Sequence, residues 1–368
     1  MKIIVFGTAC WTLCKFRGSL LRKLASEGHQ IITIGADSDV DSIVFLDSIG
    51  VEYYEVNFDR DRFDIISLFI SFYAICKIFN NFKPDACLAY FLKPIFISSC
   101  LKLFFKFHLV SLVEGLGFSF MKPKYSPFRI SAKYIVRFCV LVSEKVIFLN
   151  LNDKDEISLD SKLGDDQKIS ILPGIGVDLD YYKFSPMPRG EIKFLFLSRL
   201  LKAKGIEEFC NAAAQAKTEG LNASFFVYGQ IDDSSLGVPA ETLRKLDSDG
   251  IINYGGTVHD VRNVLKESHV LVLPTYYREG LPRCIQEAMA IGRPVITTNS
   301  SGCYGIIKNE ENGFIIKEKS KISLMHAVKW FCLNKDSFIF MSKESRKSAE
   351  CHFDCNKSDY LLKIFLIT

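Results

Sequence analysis

The segment Arg278-Glu279-Gly280-Leu281-Pro282-Arg283-Cys284-Ile285-Gln286-Glu287-Ala288 sets two carboxylates in an E-x7-E frame around a glycine and a proline. An apolar run at 270–273 precedes it and another, at 294–298, follows it, so the stretch reads as strand, loop, helix, strand. Pro282 falls in a first helical turn, where a missing N–H leaves nothing unsatisfied. A helix N-terminus at the carboxyl end of a parallel strand presents backbone N–H groups and a positive dipole end, which suit a diphosphate. A carboxylate accepts two hydrogen bonds from a diol, so Glu279 in the loop suits sugar hydroxyls and Glu287 along the helix suits a ribose.

A second cluster, Ser198-Arg199-Leu200-Leu201-Lys202-Ala203-Lys204-Gly205, follows the apolar run 193–197 and precedes a helical pattern at 205–217. Arg199 offers a planar fork of donors and Lys204 a point charge, while Lys202 reads as their solvated neighbour. Between the clusters, Tyr254-Gly255-Gly256-Thr257-Val258 is a glycine turn joining a strand at 251–254 to a helix at 261–268.

These residues need a scaffold of alternating strands and helices. In the first half, strands are expected at 3–6, 30–35, 86–90, 108–113 and 146–150, the last of them closing that half, with helices at 18–27 and 64–79. Periodicity breaks at 181–191, where two prolines and a glycine suggest a linker. It restarts with strands at 193–197, 223–228, 251–254, 270–273 and 294–298 and helices at 205–217, 261–268 and 282–291. The doubled pattern predicts an α/β protein of two Rossmann-like parallel-sheet domains facing across a cleft. Expected boundaries are 1–180 and 181–345, with 346–368 a C-terminal helix returning to the first domain and 342–365 helical throughout.

A length of 368 residues suits two domains. Hydrophobic residues make up 48% of the chain, including 31 Phe. Between Lys77 and Lys145 stand eleven Lys or Arg against three acids, interleaved with Phe91, Phe96, Phe104, Phe105, Phe107, Phe118, Phe120 and Phe128. Basic residues among aromatics suit an anionic bilayer surface, and the bland alternative is a solvated rim over a core. The best uncharged run, 65–76, is too short to cross a bilayer, and the start, 1–13, reads as a buried strand rather than a signal peptide. Twelve scattered cysteines without C-x-x-C imply free thiols, and no histidine pair or cysteine spacing points to a metal. No nucleic-acid partner is implied.

The E-x7-E frame, with Gly280-Leu281-Pro282 inside it and Gly292-Arg293-Pro294-Val295 after it, resembles the nucleotide-sugar signature of glycosyltransferase family 4, whose fold is GT-B. The first half is similar to a subgroup of bacterial transferases building O-antigen, capsule and related lipid-linked glycans, among them galactosyl and N-acetylgalactosaminyl enzymes. The residues carrying that likeness are Phe16-Arg17-Gly18, Gly28-His29, Lys93-Pro94, Glu114 to Phe120, Asn152-Asp153 and Pro173 to Asp178. The resemblance implies a retaining, metal-independent transferase without cofactor, moving a sugar from a UDP-sugar to an undecaprenyl-diphosphate-linked saccharide at the inner face of the cytoplasmic membrane. It implies donor diphosphate contacts from Arg199 and Lys204, donor contacts from Glu279, Glu287, Gly280, Leu281 and Pro282, and base contacts from Gly256 and Val258. Glu114 stands where many members carry a histidine near the reacting sugar, with Gly115 and Gly117 giving a flexible backbone beside it. Arg17 and Lys93 are expected at a phosphate of acceptor or donor. Other classes on the same architecture are a sugar-nucleotide epimerase or hydrolase and a non-catalytic scaffold.

Overall fold

In strand β1 (Lys2–Phe6), Ile4 and Phe6 enter one apolar cluster while Ile3 and Val5 enter another. Alternation into two cores is what a strand covered on both faces requires, and it explains the unbroken apolar run. The computed structural model describes residues 1–56, 65–123, 125–157, 168–232, 234, 236–299, 302 and 305–367. Asp64, Lys124 and the segment 158–167 therefore lie outside the described residues.

After β1 come α1 (Cys10–Ser26), β2 (Gln30–Gly35), α2 (Val40–Ser48), β3 (Glu52–Glu55), α3 (Ile65–Phe82) and β4 (Ala86–Tyr90). These are followed by α4 (Leu92–Leu101), β5 (His108–Val113), α5 (Pro127–Val142), β6 (Lys145–Phe148), α6 (Leu151–Ile157) and β7 (Ile169–Ile171). Among the described residues they form a seven-stranded sheet in the order β3-β2-β1-β4-β5-β6-β7, every pair parallel. The sheet thus continues past the strand expected at 146–150, which is β6, to β7. Helix α1 starts well before residue 18, because Leu13, Arg17, Leu20, Leu21 and Leu24 form one buried stripe with Cys10, whose N–H is accepted by Asp37 at 3.0 Å.

The second unit holds β8 (Ile192–Leu197), α7 (Ile206–Thr218), β9 (Ala223–Tyr228), α8 (Ala240–Ser248), β10 (Asn253–Tyr254), α9 (Arg262–Glu267) and β11 (Val270–Leu273). It continues with α10 (Arg283–Ile291), β12 (Val295–Thr298), β13 (Gly313–Ile316), α11 (Lys321–Leu333) and α12 (Phe338–His352). Its described strands make a six-stranded parallel sheet, β10-β9-β8-β11-β12-β13. Phe194, Phe196, Phe209, Phe225, Phe331 and Phe353 are buried in its core, which absorbs much of the phenylalanine excess.

The chain divides into Met1–Ile175 with Cys355–Thr368, and Gly176–Asp354. The proline-rich stretch at 181–191 is therefore part of the second unit and not a free linker. Arg346 donates to the carbonyls of Tyr182 and Ala290, both at 2.8 Å, and Arg293 donates to Ser185 at 2.8 Å and Pro186 at 3.0 Å. Arg293 is fully buried, and burial lowers its pKa to about 10. The helix expected over 342–365 is two: it breaks at Phe353–Asp354, where Val177 N–H is accepted by Phe353 at 2.7 Å, and α13 (Cys355–Ile367) belongs to the first unit.

Candidate donor and acceptor sites

Strand order reverses between β8 and β11, and their adjacent carboxyl ends form the switch point at which open α/β sheets bind ligands. The loops leaving these strands are stitched together. Tyr276 N–H is accepted by Ala203 at 2.9 Å and Thr275 Oγ1 donates to the same carbonyl at 3.2 Å. Gly205, at φ +84°, lies so close to Pro274 that an added Cβ would stand 2.4 Å from the proline oxygen. The consequence is that Lys204, nearly buried, forms an ion pair with Glu279, a residue distant in sequence. The Lys204 ammonium also sits 5.3 Å over the Tyr277 ring. Arg199 is exposed on the same loop as Lys204.

Helix α10 carries the second carboxylate. Glu287 is buried and its Oε1 accepts from Tyr182 Oη at 2.8 Å and from Arg283 Nε at 3.0 Å. Burial first, and then the neighbouring Glu287 charge, raise the pKa of Tyr182, so its phenol remains a donor. Gln286, fully buried, donates to Leu281 at 3.0 Å and accepts from Gly176 N–H at 3.0 Å, which fixes the approach to the helix. No side chain caps α10, and Gly280, Leu281 and Pro282 are buried beside its start. A Cβ on Gly302 would stand 2.1 Å from the Gly280 oxygen, so only backbone fits there. Gly256 and Val258 follow β10, two strands from β8; Gly256 adopts φ +69° and accepts from Gly229 N–H at 2.8 Å. The structure thus joins Lys204 directly to Glu279, and sets Glu287 along the helix that follows, with Gly256 and Val258 further along the same sheet edge.

The first sheet reverses between β1 and β4, and it gathers a different cluster. Arg17 of α1, fully buried, pairs with Glu114 at the end of β5 and stands 5.0 Å over the ring of Tyr90, the last residue of β4. Tyr90 Oη is 3.3 Å from Thr12 Oγ1, and burial raises its pKa. Gly7 is required here, since a Cβ would meet Tyr90 Oη at 2.2 Å. Arg17, expected at a phosphate, has its charge committed to Glu114. Lys93, half-buried, opens α4 next to Phe91, whose φ of +66° is unusual for its type. Gly115 and Gly117 take φ +142° and +70°, the latter leading into a 3-10 turn at Phe118–Met121.

Sequence reading missed Tyr182, Tyr90 and Gln286 as parts of these clusters. The i,i+4 spacing of Arg283 and Glu287 was a usable signal. Nothing local marks Tyr182, which reaches α10 only through the fold.

Residues 180–348 match the family described as "Glycosyl transferases group 1". The chain is 24% identical over 355 residues to the N,N'-diacetylbacillosaminyl-diphospho-undecaprenol alpha-1,3-N-acetylgalactosaminyltransferase of Campylobacter jejuni, covering 88% of this chain and 89% of that protein. It is 30% identical over 228 residues to the UDP-Gal:alpha-D-GlcNAc-diphosphoundecaprenol alpha-1,3-galactosyltransferase of Escherichia coli, covering 58% and 57%. The solved structure of Anabaena HepE in complex with UDP-glucose superposes with a TM-score of 0.78 at 14% identity, over 100% of this chain and 99% of that one. Residues 180–348 thus match a group 1 glycosyl transferase domain, and the two parallel Rossmann-like sheets give the whole chain the GT-B fold.

Proposed function

We propose that the chain is a retaining, metal-independent family 4 transferase that moves a hexose or N-acetylhexosamine from a UDP-sugar to a saccharide on undecaprenyl diphosphate, at the inner face of the cytoplasmic membrane, during assembly of a surface polysaccharide such as O-antigen or capsule. The observation that carries this reading is the meeting of Lys204 with Glu279 at the switch point of the second sheet. One is a cation suited to a diphosphate, the other an acceptor suited to sugar hydroxyls, and each satisfies the other until a donor takes both. Support for the donor comes from the UDP-galactose in the name of the Escherichia coli relative and the UDP-glucose held by the Anabaena protein. Support for the acceptor comes from the undecaprenyl diphosphate in both relatives' names.

In this mechanism Arg199, Lys204 and the start of α10 take the diphosphate, Glu279 the sugar, Glu287 the ribose, and Gly256 with Val258 the base. The acceptor oxygen forms a bond to the anomeric carbon as the bond from that carbon to the β-phosphate oxygen breaks, and the acceptor proton passes to the departing phosphate. Fixed cations gain strength as charge develops on the leaving group, and removing one such contact costs about 10²- to 10³-fold in rate. Glu114, oriented by Arg17, serves the acceptor or a donor hydroxyl, the Gly115–Gly117 backbone gives it a flexible neighbour, and Lys93 takes a phosphate of acceptor or donor.

Purified Lys204→Met and Glu287→Ala proteins, assayed for transfer from a panel of UDP-sugars to a bacterial lipid extract, are expected to lose at least 100-fold in turnover with unchanged circular dichroism. Wild-type turnover in both would sink the assignment. UDP release that needs no lipid acceptor would point instead to a sugar-nucleotide hydrolase or epimerase.

A further inference from the structure

Helix α5 turns an apolar side to solvent. Val136, Cys139 and Val140 face the core, while Tyr134 is 63% and Leu141 60% exposed and Ile130 and Ile135 are exposed with them. At 100° per residue these four side chains fall within about 140° of the helix circumference, opposite the buried three. Phe128, 76% exposed, extends the patch at the helix start. From Phe118 to Ser143 the chain has five Lys or Arg and no Asp or Glu, and Lys133 and Arg137 flank the apolar side.

Neighbouring elements add to this face. Helices α3, α4 and α5 all contribute to the same apolar cluster, on one side of the sheet. On that side Leu103 and Phe104 are exposed in the turn after α4, and Tyr73 is exposed on α3 with the Lys77 ammonium 4.7 Å over its ring. Several phenylalanines of this basic stretch are not part of the patch: Phe107 and Phe120 are buried in the core. No described helix is long and apolar enough to cross a membrane.

We propose that α5, with the turn after α4, lies in the headgroup layer of an anionic bilayer, its outward apolar side immersed and its basic flank on the lipid phosphates. This is the geometry of an interfacial helix. Charge selects the occupant: a second copy docked on this face would set Lys133 and Arg137 against their own images, whereas anionic lipid neutralises them. The inference rests on the functional reading only in that a lipid-linked acceptor gives the docking a purpose.

The full chain is expected to sediment with vesicles of phosphatidylglycerol and phosphatidylcholine and to remain largely in solution with phosphatidylcholine alone. Replacing Phe128, Tyr134 and Leu141 together by Ser should lower the partition coefficient at least tenfold, and Lys133→Glu with Arg137→Glu should abolish the preference for anionic lipid. A Tyr134→Trp protein should show a blue-shifted difference emission on adding anionic vesicles. Wild-type protein that ignores anionic vesicles, a triple variant that binds as before, or an unshifted emission would each overturn the proposal. So would a lipid-free dimer, by light scattering, that the triple variant dissociates. UDP binding by calorimetry separates the two readings: it should be unchanged in the triple variant, and its absence in the wild type would sink the donor site while leaving the vesicle result to stand or fall alone.

Discussion

Arg17 and Glu114 show how an ion pair shapes what a residue can do. Both are nearly or fully buried, and two such charges cost several kcal/mol each to desolvate unless they hold one another. Removing one partner strands the other, so Arg17→Met or Glu114→Leu alone is expected to cost about 3–5 kcal/mol, and the double replacement less than the sum. Urea unfolding of the four proteins measures that coupling. Additive losses would mean that the pair does not act as a unit, and Arg17 would then be free to serve a phosphate instead. In the second unit Lys204 and Glu279 pair with more exposure, Glu279 being 22% accessible, and under the proposed function it is this pair that opens for the donor.

At the scale of elements, the start of β8 is tied to β11 through one histidine. His269 is buried, its N–H is accepted by Lys193 at 2.9 Å, and its Nδ1 accepts from Lys193 N–H at 3.1 Å. Burial lowers its pKa from 6.5 to about 4, with Arg293, Lys193 and Lys335 adding repulsion. A base whose folded pKa lies below its unfolded value takes up its proton more readily when unfolded. Its contribution to stability is therefore complete above pH 6.5 and is lost as the pH falls toward 4. The full loss is on the order of 3 kcal/mol. Urea midpoints at neutral and mildly acidic pH should diverge more for the wild type than for His269→Gln. Equal divergence would assign the acid sensitivity to other groups.

For the whole molecule, the chain's last helix returns to the first unit after the second is complete. Leu362 and Leu366 of α13 are buried in the first unit's core, and Lys363 pairs with Glu27. Burying two leucines contributes about 3–6 kcal/mol. A chain ending at Asp354 should thus lose roughly 10 °C or more in the first unit's melting transition, with the second unit's unmoved, by calorimetry. A shift confined to the second unit would contradict the division. Much of this architecture was legible in the sequence: Ala86–Tyr90 and Val270–Leu273 are covered throughout and Gln30–Gly35 is covered from Ile31 on, and their apolar runs carry the parallel sheets unaided. Elements with weaker patterns, such as β3 with its largely exposed Glu-Tyr-Tyr-Glu and the two-residue β10, were missed or overextended because strands that bury no residue leave little periodic signal. The sequence by itself determined the E-x7-E frame, the basic loop after β8 and the doubled strand-helix order, since each depends on neighbours along the chain. Only the tertiary structure decided that Lys204 meets Glu279, that Arg17 is taken by Glu114, that Tyr182 holds Glu287, and which side of α5 faces outward. These depend on which strand ends the crossovers bring together and on which faces the core consumes, and no local spacing records either.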